Sequence, residues 1–176
     1  MIVTIEDVKN SIRTVPNFPQ KGIQFKDVST AFKDKLILKF IVDEITDYYR
    51  GFEITKVVGI ESRGFIIGSS LAVGLQAGFI PIRKPGKLPA KTFAQSYELE
   101  YGSDTIEIHA DALDRDDVVL IHDDVLATGG TVNAAVELVK KFGVKKIFVN
   151  FFVELDFLNG RKRIHEEIPV WSMIHF

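Results

Sequence analysis

The stretch 118–142, VVLIHDDVLATGGTVNAAVELVKKF, restricts the possible folds more than any other part of the chain. Val118 to His122 is a short run suited to a strand buried on both faces. Two adjacent carboxylates, Asp123 and Asp124, end that run. A short turn follows, and Thr128-Gly129-Gly130-Thr131 opens an amphipathic helix over Thr131–Phe142, which Gly143 stops. A strand with no polar face needs helices on both sides, which is the environment of a parallel sheet.

The rest of the chain repeats that alternation. Thr4 is a candidate N-cap, with Asp7 three residues on, for a short helix to about Arg13. Asn17–Thr30 contains Pro and Gly and reads as irregular. Asp34–Arg50 has helical spacing at Leu36, Ile37, Phe40, Ile41, Ile45 and Tyr48, and Gly51 closes it. Lys56–Ile60 and Phe79–Arg83 read as strands, and Lys84–Ser96 as a long loop. Thr105–His109 alternates like one arm of a hairpin. Lys146–Val153 is a further strand, Gly160–Glu167 reads as helical, and Val170–Ile174 as a last strand. The expectation is one α/β domain over residues 1–176, a mostly parallel twisted sheet with helices on both faces. Ligands of such sheets sit beyond the strands' carboxyl ends. Glu61-Ser62-Arg63, Arg83-Lys84 and Asp123-Asp124 all fall there.

Composition narrows the function classes. Of 176 residues 46% are hydrophobic, enough for a sizeable core, and the net charge of −2 argues against a nucleic-acid-binding surface. With no cysteine, disulfides, thiolate metal sites and Cys nucleophiles are excluded, and a reducing cytoplasm fits. The N-terminus does not read as a signal peptide. The uncharged stretch Gly64–Ile82 is about the length of a membrane span, but its glycines, Pro81 and Gln76 favour a buried helix stopped at Gly78 and followed by a buried strand. No membrane partner is expected.

The chemistry of the 118–131 segment follows from its residue types. Gly129 and Gly130 leave backbone N–H groups bare for close approach by an anion, and the helix N-terminus adds partial positive charge. Thr128 and Thr131 add hydroxyl donors. That end suits a phosphate. Carboxylates only accept, so Asp123 and Asp124 suit a vicinal diol. A ribose 5-phosphate presents both groups. Neither G-x-x-x-x-G-K-[ST] nor a G-x-G-x-x-G after a strand is present.

These residues resemble the type I phosphoribosyltransferase family. VVLIHDDVLATGGT is similar to that family's signature for phosphoribosyl pyrophosphate (PRPP), and its wording is closest to members that act on adenine. NFPQKGIQFKDVST, GIESRGFIIG, IRKPGKLP, SYELEYG and FVELDFLNGR continue the similarity along nearly the whole chain. The resemblance implies that fold, with a small hood built from the N-terminal and C-terminal segments. It implies that Ala127, Thr128, Gly129, Gly130 and Thr131 hold the 5-phosphate while Asp123 and Asp124 face the ribose hydroxyls. Arg63, in a loop where the family often has a cis peptide (here Glu61–Ser62), would hold pyrophosphate. Arg83, Lys84 and Lys87 would meet the same leaving group from a closing loop. Glu100 matches the family's acidic catalytic residue near the purine N7, with Glu98 close by and Tyr101 packing near the ribosyl site. Phe25 would stack on adenine, with the backbone of Gln24 and Lys26 reading the ring edge; a core role for Phe25 is the competing reading.

The implied reaction is adenine + PRPP → AMP + pyrophosphate, with Arg63, Lys87 and Glu100 in catalysis. Mg²⁺ would travel on PRPP and pyrophosphate, and the protein would be a cytoplasmic homodimer. Two alternatives stay open: transfer to another base, such as hypoxanthine, xanthine or orotate, and a PRPP sensor without catalysis. One residue departs from the family pattern. The position before the acid pair is usually branched and apolar, and here it is His122. It is either a satisfied histidine beside the site or a group that tunes the acids near neutral pH. His109, His122, His165 and His175 show no metal-ligand spacing.

Overall fold

The computed structural model describes residues 2–98 and 102–176. Along the chain run α1 (Ile5–Ser11), β1 (Arg13–Pro16), β2 (Gln24–Asp27), α2 (Ser29–Phe32), α3 (Lys35–Tyr49), β3 (Lys56–Ile60), α4 (Gly64–Gly74), β4 (Gly78–Ile82), β5 (Thr92–Glu98) and β6 (Ser103–His109). Then come β7 (Val118–Leu126), α5 (Gly130–Lys140), β8 (Lys146–Glu154) and β9 (Val170–His175). The central sheet has the order β4-β3-β7-β8-β9, and every pairing in it is parallel.

The apolar strands sort by residue parity into two cores. Val57, Val118, Leu120, Phe148 and Phe152 face a layer holding Ile41, Ile45 and Tyr49 of α3 and Ile67 and Leu71 of α4. Val58, Ile60, Val119, Ile121, Val149 and Phe151 face the other layer, where α5 brings Val132, Ala135, Val136 and Val139, and β6 brings Ile106 and Ile108. Strand side chains alternate faces, so a strand covered on both sides is apolar along most of its length. Local signals set the helix ends. The Thr4 hydroxyl accepts the Asp7 N–H at 3.2 Å and Asp7 accepts the Thr4 N–H at 2.9 Å, closing a capping box. Asp34 caps α3 by accepting from Leu36 and Ile37 N–H at 2.8 and 3.2 Å.

Several expectations need correction. The irregular reading of Asn17–Thr30 misses the antiparallel β1–β2 pair and the single turn of α2. The first helix ends at Ser11, because Arg13 begins β1. Within the supposed loop Lys84–Ser96, Thr92 begins β5, which pairs with β6 from Thr92↔His109 to Glu98↔Ser103. The turn residues Pro85, Gly86 and Pro89 lie before it and hid its alternation. Gly160–Glu167 forms only a short 3₁₀ turn over Gly160–Arg163. Gly64–Ile82 is a helix followed by a strand, as expected, and among the described residues no helix is long and apolar enough to cross a membrane.

The hood combines both chain ends. Lys9 Nζ donates to the His175 carbonyl at 2.7 Å. The Lys26 ammonium lies 3.9 Å from the centroid of the Phe176 ring, an attractive cation–π contact.

Candidate active site

β7 does not end at the acid pair; it runs through it to Leu126. What ends there is its neighbour on one side. Pairing with β3 stops at Gly59↔His122, whereas pairing with β8 continues to Leu126↔Glu154. Asp123 and Asp124 therefore stand where one edge of β7 opens at the carboxyl end of the sheet.

Beyond Leu126 the chain turns into α5 through Gly129, whose φ of 82° lies in the left-handed region that favours glycine. A Cβ at Gly129 would strike the Gly160 carbonyl, and one at Gly160 would strike the Ala127 carbonyl. The two backbones thus touch, and each position excludes a side chain. The resulting cradle, about 80 Å³, is lined by Asp123, Ala127, Thr128, Gly129, Gly130 and Thr131 together with Phe151 and flanking apolar residues. The first N–H groups of α5 lack acceptors within the helix, so the cradle offers donors and a dipole end to an anion.

A second cleft of about 270 Å³ is lined by Ile60, Glu61, Ser62, Arg63, Lys84, Tyr97, Asp123, Asp124 and Thr131. Asp123 and Thr131 line both clefts, so they are contiguous. The Glu61–Ser62 peptide is cis. Each cation at this cleft meets a carboxylate. Arg63 is ion-paired with the buried Asp124. Arg83 donates to Glu61 at 3.1 Å, and the Lys84 N–H donates to the same carboxylate at 2.8 Å. The Lys84 ammonium is ion-paired with Asp104. Glu61 is held below its usual range, first by the Arg83 hydrogen bond and then by the Lys84 N–H. Asp123 goes the other way: burial, then the neighbouring Asp124 charge, pushes its carboxyl well above the ordinary value.

The expected residues are thus only partly brought together. Arg63, Lys84, Asp123, Asp124 and Thr131 share one cleft, and Arg83 supports it through Glu61. Lys87 is exposed in the turn at Pro85-Gly86, outside both clefts. Glu100 and Tyr101 lie outside the described residues. Phe25 belongs to neither core, which removes the core reading; its ring meets Phe18 edge-to-face at 5.2 Å. Gln24 and Lys26 flank it on β2, with Lys26 Nζ bonded to the Thr14 hydroxyl at 3.0 Å. Asp27, next on that strand, is near enough for its charge to act on Arg63. Its own carboxyl is held down at about 2, first by the Ser29 hydroxyl and then by Arg13.

His122 is fully buried, and its Nδ1 lies 2.7 Å from Asn150 Oδ1. The Asn150 amide nitrogen donates to the Trp171 carbonyl at 3.1 Å, so the Asn150 oxygen faces the ring and His122 Nδ1 carries the proton. Nε2 has no hydrogen-bond partner among the described residues. Burial lowers the His122 pKa to about 4, against the smaller opposing pulls of Asn150 and Asp124. Burial holds the ring neutral near pH 7, which favours a structural role beside the site over one that tunes the acids.

Sequence reasoning missed Tyr97, Asp104 and Gly160. The first two face each other across β5–β6, and period-two alternation was the only signal for them. It also missed the grouping of Glu154, Asp156 and His175. That group is occupied by the protein itself, since Arg161 donates to Glu154 from Nε at 3.0 Å and Asp156 lies 2.8 Å from His175 Nδ1.

A parallel sheet whose open end joins a glycine-bound anion cradle to a cleft of paired acids and cations is the geometry of a phosphoribosyl-handling protein. The chain belongs to the phosphoribosyl transferase family, whose domain model matches residues 29–174. Among its relatives, adenine phosphoribosyltransferase of Bacteroides thetaiotaomicron is 55% identical over 174 residues, 99% of either chain. That of Bacteroides fragilis is 59% identical over 162 residues, 92% of this chain and 91% of the relative. Among solved structures, the Rhodothermus marinus adenine phosphoribosyltransferase superposes with a TM-score of 0.91 at 50% identity, covering 98% of both chains. The Giardia lamblia enzyme in complex with 9-deazaadenine gives 0.94 at 43% identity, covering 99% of this chain and 98% of that one.

Proposed function

We propose that this protein transfers the 5-phosphoribosyl group of PRPP to adenine, releasing AMP and pyrophosphate. One observation carries the reading at the level of the site: Asp123 and Thr131 belong at once to the phosphate cradle and to the acid–cation cleft. PRPP has this layout, with a 5-phosphate at one end, pyrophosphate at the other and a diol between. The full-length similarity to relatives named for adenine supports the choice of base.

In this reading the cradle, Ala127–Thr131, binds the 5-phosphate, and Asp123 and Asp124 accept from the ribose hydroxyls. Arg63, Arg83, Lys84 and Lys87 neutralise charge on the departing pyrophosphate, with Lys87 arriving as its loop closes. Phe25 stacks on the base, the backbone at Gln24 and Lys26 reads its edge, and Glu100 serves the proton near N7. Bond breaking at the anomeric carbon runs ahead of bond making, so the protein acts mainly by positioning and by preorganised charge. The oxygen-rich donor set fits a hard divalent cation carried chiefly by the substrate, because Arg63 already occupies Asp124. Mg²⁺ would supply further neutralisation of the leaving group. A homodimer and a cytoplasmic location complete the proposal.

The test is pyrophosphate release from PRPP and Mg²⁺ with a panel of bases. Adenine should turn over at least on the order of 100-fold better than hypoxanthine, xanthine or orotate, since backbone groups that read one ring edge are left unpaired by another. Preference for another base would reassign the acceptor, and PRPP binding with no turnover on any base would make the protein a sensor.

A further inference from the structure

Lys84 is held by a residue outside the cleft. Lys84 lines the cleft with Arg63, Asp123, Asp124 and Tyr97, yet its ion-pair partner, Asp104, is absent from that lining. Asp104 sits on β6 directly opposite Tyr97 of β5. The Tyr97 hydroxyl donates to Asp104 at 3.2 Å and lies 3.4 Å from Lys84 Nζ, so the hairpin presents a carboxylate and a phenol together. Partial burial is the largest single influence and pulls the Lys84 ammonium down, but the hydrogen bonds and charges of Asp104 and Tyr97 together outweigh it and leave its pKa above the ordinary value. The same bond is the main reason that the Asp104 carboxyl is lowered.

The other two carboxylates paired to cations have further work in the site. Asp124 faces the ribose in the proposed reading, and Glu61 also accepts the Lys84 N–H that shapes the loop. Asp104 has neither duty. Its carboxylate and a bound pyrophosphate compete for one ammonium. A charge that binds the polyphosphate on entry must also release it as product. A counter-anion fixed behind the lysine weakens that grip and recaptures the lysine as the product leaves.

We propose that Asp104, presented by the β5–β6 hairpin with Tyr97, is an internal competitor for Lys84 that lowers the affinity of the site for pyrophosphate and so assists product release. This rests on the assignment of Lys84 to the pyrophosphate.

Direct calorimetric binding of inorganic pyrophosphate, with Mg²⁺ present, tests it on the full-length parent, Asp104→Asn, Lys84→Ala and the double variant, each first checked for a parental thermal transition. Asp104→Asn keeps an acceptor for Lys84 and Tyr97 but removes the competing charge. It should bind pyrophosphate more tightly by roughly three- to five-fold, the scale of a partly exposed charge pair. In the Lys84→Ala background the same change should have no effect. Weaker or equal binding by Asp104→Asn, while Lys84→Ala still loses affinity, overturns the competitor role and leaves the site reading intact. If Lys84→Ala binds pyrophosphate like the parent, the assignment of Lys84 falls and the competitor role falls with it. Tightening that persists without Lys84 makes the effect one of general charge and also overturns the proposal.

Discussion

His122 stands beside two residues of the site and takes no part in its charge. Its proton sits on the nitrogen facing Asn150, and burial keeps the ring neutral down to about pH 4. This has a consequence for stability. An unfolded chain protonates its histidine near pH 6.5, while the folded chain refuses the proton until about pH 4. The folded pKa is lowered, so stability is complete above about 6.5 and is lost as pH falls towards 4, by about 3 kcal/mol for that gap. His122→Val should lower stability near pH 7, because Asn150 loses a partner, yet flatten the fall between pH 7 and 4.5 in thermal melts. An unchanged fall would place the acid sensitivity elsewhere. Which of its two roles the histidine takes was not legible from the sequence. Strand alternation puts it on the same side as Asp124, but only the β8 neighbour Asn150 decides the tautomer. Asp123 and Asp124, in contrast, were legible as a pair, because adjacent acids at the end of an apolar run have few structural uses.

The phosphate cradle is made by two elements far apart in sequence. Thr128–Thr131 was readable as the turn that opens α5 and lines the cradle, since glycines at a helix start have a known geometric use. The role of Gly160 was not, because nothing local demands glycine there: it follows from backbone contact with Ala127 and Gly129. Gly160→Ala should therefore push the cradle open. Overpacking of this kind costs about 1–3 kcal/mol, and PRPP affinity should fall well before affinity for the free base does. Calorimetric binding of both ligands checks this, and equal losses for the two would contradict a local effect on the cradle. The β5–β6 hairpin was the element least visible in advance. One arm was read as loop because turn residues precede it, and its pairing partner lies across residues 99–101. Tyr97 and Asp104 went unseen for the same reason.

For the molecule as a whole, the parallel sheet was legible because its strands carry apolar runs on both faces and alternate with helices. The strand order β4-β3-β7-β8-β9 was not, since chain order alone does not say that β7 lies between β3 and β8. That order matters to function. It sets Arg63, after β3, beside Asp124 of β7, and leaves the β7 edge open beyond His122. The hood was expected from both chain ends, and the Lys9 and Lys26 contacts to His175 and Phe176 supply its attachment. In the proposed reading, cradle and acid pair together form one ribose-phosphate site. A crystal structure of the full chain grown with AMP tests it most directly. The phosphate should lie against the N–H groups of Ala127–Thr131, the ribose hydroxyls on Asp123 and Asp124, and the base against Phe25. A phosphate bound instead among Arg63, Arg83 and Lys84, with the cradle empty, would contradict it.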